Sequence, residues 1–153
     1  VKKASLDETV SGIIVQLPLP DALKHHEQDI IDIIPWYKDV DGLTTENVGR
    51  LWSGRECIVP ATAAGVLKLI PSDLSGKTVA LIGRSKLCNI PLMYCLQKRG
   101  ATPTLCHSKT SDLKGIVSNS NYVVSAIGHP KFFDETWFYY KDTTFIANYQ
   151  TIN

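Results

Sequence analysis

The sequence is short of the features that mark a membrane, exported or polyanion-binding protein. Among its 153 residues, no apolar run approaches the roughly 18 residues of a membrane span. Lys and Arg number 16 against 15 Asp and Glu, and a formal charge of +1 gives no sign of a nucleic-acid surface. The chain does not open on a charged start, an apolar core and a small-residue cleavage site. We therefore expect no export, no membrane partner and no nucleic-acid partner.

Cysteine is also sparse, and its spacing does not suit a metal. The four cysteines, none of which forms a Cys-x-x-Cys pair, are Cys57, Cys88, Cys95 and Cys106. Free Cys behaves as a small hydrophobe, so we interpret them as reduced thiols in a reducing compartment. A chain of this length can bury a sufficient core without a disulfide or metal staple, and we predict no metal site.

Short β-rich runs alternate with segments of helical spacing. The predicted strands cover 12–17, 78–82, 102–106 and 122–127, with a weaker one at 143–147. The predicted helices cover 21–34, 62–70, 91–99 and 112–118. From Lys77 onward the alternation is typical of parallel strands joined by crossover helices. The strands are almost wholly apolar, as in a parallel sheet that is covered on both faces.

The predicted fold class is therefore α/β, a Rossmann-like parallel sheet preceded by the tail of a smaller α/β domain. We place the first domain at residues 1–60 and the second at 61–153. One strand and one helix in the first segment do not make a core, so that segment either packs on the second or belongs to a longer chain.

The turn after the second strand is a candidate phosphate loop. Residues 82–91 join that strand to a helix, where free backbone N–H groups and the helix dipole attract phosphate. Arg84 and Lys86 add positive charge, and Ser85 adds a hydroxyl. The loop lacks Gly-x-Gly-x-x-Gly, so an ordinary polar turn is the alternative.

The tip of the following strand favours a phosphorylated cofactor. NAD-binding units usually carry an acid there, about 20 residues past the glycine loop, to bond the ribose hydroxyl. Here Ser108 and Lys109 replace the acid, near Arg84 on the neighbouring loop. That combination suits the 2′-phosphate of NADP better than a bare ribose, and the alternative is a solvated strand end.

Two polar features of the first segment are candidates for chemistry. Gln16 lies inside an apolar run, and a buried Gln needs hydrogen-bond partners, catalytic or structural. Asp39 and Asp41 are one residue apart in a turn that ends with Gly42. Paired carboxylates work as acid and base when their environments differ, and the alternative is a solvated turn.

The chain also carries an ordered set of short motifs: Val-Gln-Leu-Pro-Leu-Pro at 15–20, Pro35 with Lys-Asp-Val-Asp-Gly at 38–42, Asn47 with Gly49, Pro60-x-Thr62-x-x-Gly65, Gly83-Arg84-Ser85, Cys-His-Ser-Lys-Thr at 106–110 and Ala126-x-Gly128. In order and spacing this set resembles the methylenetetrahydrofolate dehydrogenase/methenyltetrahydrofolate cyclohydrolase family. The resemblance covers nearly all of the chain. The residues of the Gly-Arg-Ser-Lys and Cys-His-Ser-Lys-Thr motifs are most similar to the dehydrogenase/cyclohydrolase domain of eukaryotic trifunctional enzymes.

The resemblance implies a two-step folate enzyme in which NADP takes a hydride from methylenetetrahydrofolate and water then opens the methenyl product. It makes 1–60 a partial folate-binding domain and 61–153 the NADP-binding domain, truncated at its end. Its substrate-binding residues would be Val15, Gln16 and Leu17 in the folate cleft, with Asp41 on the pterin ring. Its cofactor-binding residues would be Thr62 near the nicotinamide, Gly83, Arg84 and Ser85 in the loop, Ser108 at the 2′-phosphate, and Ile152.

The resemblance also bears on assembly and location. Family members commonly pair through the nucleotide domain, which allows a homodimer. We expect a cytoplasmic location, with the mitochondrion as the alternative, because relatives in both compartments share these motifs.

Several departures from the family pattern bear on activity. The family's catalytic lysine lies in a Tyr-x-x-x-Lys motif upstream of the Gln strand, and Lys2 and Lys3 lack that tyrosine, so we identify no catalytic residue. Pro60-Ala61-Thr62-Ala63 replaces Pro-Cys-Thr-Pro, and the loop's later glycine is Asn89, whose side chain we expect to crowd the helix–strand approach.

General acid–base groups typically supply about 10²–10⁴-fold of rate. We therefore expect the 153 residues by themselves to be inactive or nearly so. The alternatives are a non-catalytic nucleotide-binding or scaffold module of the same fold, and a structural partner subunit with an empty pocket.

Overall fold

A computed structural model describes residues 1–129, 132–138 and 143–147. Its contacts divide the chain into two compact units, Val1–Ala61 and Thr62–Asn153. Each unit has its own buried residues. Within the described ranges, no helix has the length and apolar character needed to cross a bilayer.

The first unit is built from short helices joined by long loops. Its helices are α1 (Lys2–Leu6), a 3₁₀ turn (Asp21–His26), α2 (Glu27–Ile31) and α3 (Thr45–Trp52). The single helix predicted over 21–34 is therefore wrong. The chain leaves α-helical geometry at His26, whose φ of −107° and ψ of 11° separate the 3₁₀ turn from α2.

The strand predicted over 12–17 is also wrong. One isolated parallel bridge, between Ile13 and Asp39, pairs this segment, and no ladder extends from it through the described residues. Ile13 is buried, but Ile14 is 60% exposed. An apolar run without a neighbouring strand leaves its backbone groups unpaired, so it does not form a strand here.

A buried polar network holds the centre of the first unit. The Asp39 carboxylate, which is 2% exposed, accepts hydrogen bonds at 2.8 Å from the Thr44 N–H and from the Asn47 side-chain amide. The Asn47 amide also donates to Trp36 O, and its oxygen accepts from Ile58 N. Buried polar groups need such partners, so this network fixes the loop between residues 36 and 47.

The second unit is a four-stranded parallel sheet, which confirms the predicted fold class. Its strands are β1 (Thr78–Ile82), β2 (Thr102–Cys106), β3 (Tyr122–Ser125) and β4 (Thr144–Ala147), in the order β2-β1-β3-β4. The chain thus moves to one side of β1 for β2 and to the other side for β3. Such a reversal is a topological switch point, where α/β proteins bind ligands at the carboxyl ends of the strands.

Helices and aromatic residues cover the two faces of this sheet. The helices are α4 (Ala61–Leu69), α5 (Asn89–Lys98) and α6 (Leu113–Ser118), close to three of the predicted segments. Ala80, Ile82 and Val123 form one buried cluster with Val117 of α6, and Phe133 and Phe145 pack against it. Because side chains alternate along a strand, Val79, Leu81 and Val124 point to the opposite face. Two-sided burial explains the apolar runs of the central strands β1 and β3, whereas the edge strand β2 keeps Thr102 and Thr104 exposed.

The turn that leaves β1 depends on a glycine. Gly83 has φ of +100°, a conformation that L-residues with a side chain rarely adopt. A Cβ atom there would lie 3.1 Å from Ile127 Cγ2 and 3.3 Å from Ala126 O. The close approach of the segment after β3 and the positive φ together require glycine.

We expect Gly83→Ala to lower the free energy of unfolding by about 1–2 kcal/mol, because a side chain must enter left-handed backbone geometry. Urea unfolding followed by tryptophan emission measures this change. Gly49→Ala is the matched control, because a Cβ atom at Gly49 in α3 meets nothing within 4 Å. That control should be neutral or stabilising by up to about 1 kcal/mol, and an equal loss in both variants would contradict the argument.

We expect Asp39→Ala to destabilise the protein by about 1–3 kcal/mol, because it leaves the buried Thr44 N–H and Asn47 amide without their acceptor. Asp41→Ala is the control, since the Asp41 carboxylate has no hydrogen bond or ion pair among the described residues. Thermal unfolding of the two variants should differ clearly. If they unfold together, the network does not support the fold as argued.

Candidate functional site

The carboxyl ends of β1 and β2 bring the predicted phosphate loop and the predicted strand tip side by side. Ile82 and Cys106 are register partners at the last position of each strand. Beyond them, Gly83 N donates to Cys106 O at 2.9 Å. The loop at 83–85 and the tip at 107–109 therefore leave the same edge of the sheet from neighbouring strands.

The tip of β2 is a tight turn closed by its own side chains. Thr110 N donates to His107 O at 2.9 Å, and His107 N donates to Thr110 Oγ1 at 2.8 Å. Lys109 N donates to His107 Nδ1 at 3.1 Å, so this ring nitrogen acts as an acceptor. The turn leaves the side chains of Ser108 and Lys109 exposed, with no hydrogen bond to the described part of the chain.

The loop after β1 presents unpaired donors. Ser85 O accepts from Cys88 N and Ile90 N, which fixes the start of α5. The backbone N–H groups of Arg84 and Ser85 have no acceptor among residues 1–129, 132–138 and 143–147. The Arg84 side chain is exposed. Adjacent free N–H groups beside a helix start form a concavity that favours an anion.

The charge around this edge is of one sign. From Gly83 to Ser111 the sequence contains no Asp or Glu. Arg84 and Lys109 are exposed cations there, and no carboxylate of that stretch can neutralise them. An anion with more than one phosphate group therefore suits the loop and the tip together.

Asn89 departs from the expectation that its side chain only crowds the approach of α5 to β1. It is fully buried, and its amide nitrogen donates to Ile82 O at 2.8 Å and to Gly83 O at 3.0 Å. The side chain thus occupies the space beneath the loop with hydrogen bonds. With glycine required at 83 and free N–H groups at 84 and 85, the residues present fit a nucleotide phosphate.

A cavity of about 400 Å³ lies next to the loop, on the β3–β4 side of β1. That volume is within the ordinary range for small-molecule sites. One face of α4 forms a wall, with residues spaced i, i+3, i+4 and i+7: Thr62, Gly65, Val66 and Leu69. Other walls come from Ser85, Leu87 and Cys88 of the loop, and from Val124 to Ala126 and Ile146 of the strands.

The thiol in this cavity is a neutral group. Cys88 is 5% exposed, and burial raises the pKa of its thiol above the ordinary value. Cys106, at the end of β2, is fully buried, and its pKa is raised for the same reason. Neither cysteine therefore has the lowered pKa of a nucleophilic thiolate.

The first unit brings the two parts of the predicted folate site together. Ile13 N donates to Lys38 O at 2.7 Å, and the parallel bridge between Ile13 and Asp39 sets the two segments side by side. Val15, Gln16 and Leu17 follow that bridge on one segment, and Asp41 follows it on the other. Their roles toward folate stay predictions.

Gln16 and the two carboxylates differ from the sequence expectations. Gln16 is exposed, and its amide donates to the neighbouring Leu17 O. The prediction that this glutamine is buried is therefore wrong. Asp39 is buried and fully used by the network, whereas Asp41 is only half-buried. The two environments do differ, but Asp39 serves the fold.

Sequence reasoning named Thr62 but missed the rest of the α4 face that lines the cavity, and it missed the contacts of Asn89. The α4 face could have been found from the helical spacing of its four cavity-lining residues. Asn89 gave no such signal, because its partners are backbone carbonyls. Ile152 lies outside the described residues, which bring no three His, Cys, Asp or Glu side chains together as a metal ion requires.

Known proteins with this arrangement are folate enzymes. The family described as "Tetrahydrofolate dehydrogenase/cyclohydrolase, NAD(P)-binding domain" matches residues 60–146. "Bifunctional protein FolD" of Clostridium tetani is 41% identical over 138 residues, which are 88% of this chain and 49% of that protein. The chain spans about half the length of the curated relatives it matches.

Two solved structures of folate enzymes are also similar to this chain. The bifunctional enzyme FolD, a methylenetetrahydrofolate dehydrogenase/cyclohydrolase from Campylobacter jejuni, superposes with a TM-score of 0.84 at 30% identity, over 95% of this chain and 62% of that one. The methylenetetrahydrofolate dehydrogenase-cyclohydrolase (FolD) of Trypanosoma brucei, solved with NADP cofactor and inhibitor, gives 0.80 at 34% identity, over 89% and 48%.

The matched domain contains the loop after β1, the tip of β2 and the whole cavity wall formed by α4. This chain therefore belongs to the tetrahydrofolate dehydrogenase/cyclohydrolase family, through its NAD(P)-binding domain.

Proposed function

We propose that this chain binds NADP and forms the cofactor-binding part of a methylenetetrahydrofolate dehydrogenase and methenyltetrahydrofolate cyclohydrolase. One observation carries the cofactor assignment. The free N–H groups of Arg84 and Ser85 lie at the same sheet edge as the exposed side chains of Ser108 and Lys109, and residues 83–111 contain no carboxylate.

Each part of the cofactor has residues suited to it. The N–H groups of Arg84 and Ser85 suit the pyrophosphate, because they are unpaired donors beside the start of α5. Ser108, Lys109 and the Arg84 guanidinium suit the 2′-phosphate on the β2 side of β1. The cavity beside Thr62, on the β3 side, suits the nicotinamide. Bound NADP supplies a hydride acceptor.

The folate chemistry is proposed from the relatives and from the first unit. The related proteins named above are dehydrogenases and cyclohydrolases, and the pairing of Ile13 with Asp39 places the Gln16 segment beside the Asp41 turn. Asp41 keeps a half-exposed carboxylate that can accept two parallel hydrogen bonds from an aminopterin ring. We keep the homodimer as a proposal that rests on the family resemblance, and the cytoplasm as the expected location with the mitochondrion as the alternative.

The lysines of the first unit do not suit proton transfer to a folate. Lys38 is 8% exposed, and its ammonium donates to Ser5 O at 3.2 Å and Asp7 O at 2.8 Å, which ties it to the end of α1. Lys2 and Lys3 are exposed on α1, and Lys24 is exposed and forms an ion pair with Asp21 at 2.6 Å. The 153 residues by themselves should therefore turn over folate far more slowly than complete family members.

We expect NADP to bind more tightly than NAD, and Arg84→Ala or Lys109→Ala to reduce that preference by about tenfold, because each removes a charged donor to the 2′-phosphate. Titration of the full chain with both dinucleotides by calorimetry gives the ratio. NAD affinity should fall less than NADP affinity in the Lys109 variant.

Lys98→Ala is the matched control, since Lys98 is an exposed cation at the far end of α5. If Lys98→Ala lowers the preference as much as Lys109→Ala does, overall charge explains the effect and the assigned site is wrong. An unmodified chain that binds neither dinucleotide would favour the structural-subunit alternative.

We also expect residual or no oxidation of methylenetetrahydrofolate when the purified chain is supplied with NADP. Absorbance of the reduced nicotinamide measures this rate, and calorimetry on the same sample shows that NADP binds. Turnover at the rate of a complete family enzyme would refute the argument from the lysines. NADP binding without turnover is the expected combination.

A further inference from the structure

Asn89 is the first residue of α5, and its side chain turns back under the end of β1. Its Nδ2 donates to Ile82 O at 2.8 Å and to Gly83 O at 3.0 Å, and the residue is fully buried. Ile82 O also accepts from Ala126 N at 2.9 Å, whereas Gly83 O has Asn89 as its hydrogen-bond partner among the described residues.

This contact determines how one peptide group of the phosphate loop is oriented. In a trans peptide, the C=O of Gly83 and the N–H of Arg84 point in opposite directions. Because Asn89 holds the carbonyl beneath the loop, the Arg84 N–H is directed away from Asn89 and has no acceptor in the described part of the chain. The same hydrogen bond thus leaves a donor available to a ligand.

Gly83 gives such a restraint an effect in this chain. Glycine accepts backbone angles that other residues avoid, so the peptide group after it can rotate at low cost. With φ of +100° at Gly83, a rotated peptide would point a carbonyl oxygen, instead of an N–H group, toward a phosphate. A donor that is already oriented binds an anion more tightly, because its ordering cost is met before binding.

The two ends of the Asn89 side chain differ, because the nitrogen is used twice and the oxygen is not paired within the described ranges. Asn89 Oδ1 is buried and has no hydrogen-bond partner in the residues that the structure describes. An unpaired buried acceptor is unfavourable. Alanine would remove this unpaired acceptor but would leave Gly83 O without its hydrogen-bond partner, so the effect of the side chain is centred on the Gly83 carbonyl.

We propose that Asn89 is a positioning residue, which fixes the Gly83–Arg84 peptide so that the loop receives the pyrophosphate of a dinucleotide. This inference rests on the proposed function, because it concerns how the same cofactor is held. It adds a residue that touches no ligand and acts through the carbonyl of Gly83.

The test compares two nucleotides on the full chain. NADP carries the pyrophosphate, and adenosine 2′-monophosphate carries only the group assigned to Ser108 and Lys109. Asn89→Ala should lower the affinity for NADP about tenfold, because the lost hydrogen bonds act at the loop. The affinity for adenosine 2′-monophosphate should change little. Asn89→Asp keeps the shape of the side chain but places carboxylate oxygens, which are acceptors, against two carbonyl oxygens. It should lower the affinity for NADP further. Calorimetry for NADP and NMR titration for the monophosphate give the two affinities.

Asn47→Ala is the matched control for the loss of a buried amide. Asn47 is 1% exposed and also donates twice, to Trp36 O and to the Asp39 carboxylate, but in the first unit. It should lower the unfolding temperature and leave the ratio of the two affinities unchanged. If Asn89→Asp does not fold, Asn89→Ala decides.

The outcomes separate this inference from the function on which it rests. If the unmodified chain binds neither nucleotide, the proposed function fails. If it binds both, and Asn89→Ala either keeps the affinity for NADP or weakens both nucleotides equally, the positioning role is overturned and the cofactor assignment stands.

Discussion

The hydrogen bond from Gly83 N to Cys106 O is the contact on which the site depends. It extends the pairing of β1 with β2 by one residue, so that the chain leaves both strands at the same level. A shift of one residue in this register would move the Ser108–Lys109 turn away from Arg84 and reverse the faces of β2. Buried residues on both faces of the sheet hold the register, and Ala80, Ile82 and Cys106 lie in one buried cluster. The core of the second unit therefore sets the geometry of an anion site at its surface.

The first unit shows the same division between residues that hold a loop and residues that a ligand could use. Asp39 and Asn47 use their polar atoms on the backbone around Trp36, Thr44 and Ile58. Asp41, two residues later, keeps its carboxylate available. The two aspartates are similar in sequence, but one is buried with partners and the other is not. This difference is what makes Asp41 the better candidate for substrate binding.

Parts of the fold and the site could be predicted because they follow from local pattern. The runs at 78–82 and 102–106 form strands with the predicted bounds, since each is short and β-rich and is bounded by polar turns. The phosphate loop could be proposed from its position between a strand and a helix. The run at 12–17 is also β-rich, but the strand predicted there does not form. A strand needs a neighbouring strand to pair with, and the pattern of apolar residues does not indicate whether one is present. Asn89 was expected to crowd its surroundings, because carbonyl partners leave no trace in a sequence.

What the sequence by itself determined is the class of the chain: apolar strands in alternation with helices, a cationic loop, a strand tip without an acid, and an ordered set of motifs that indicates the folate family. What only the tertiary structure decided is which of these residues meet. The strand order β2-β1-β3-β4 places the tip of β2 on one side of β1 and the cavity on the other, and the buried amide of Asn89 holds the turn between them. The physical reason is that composition and spacing act on neighbours along the chain, whereas register, burial and the orientation of a peptide group depend on residues that are distant in sequence.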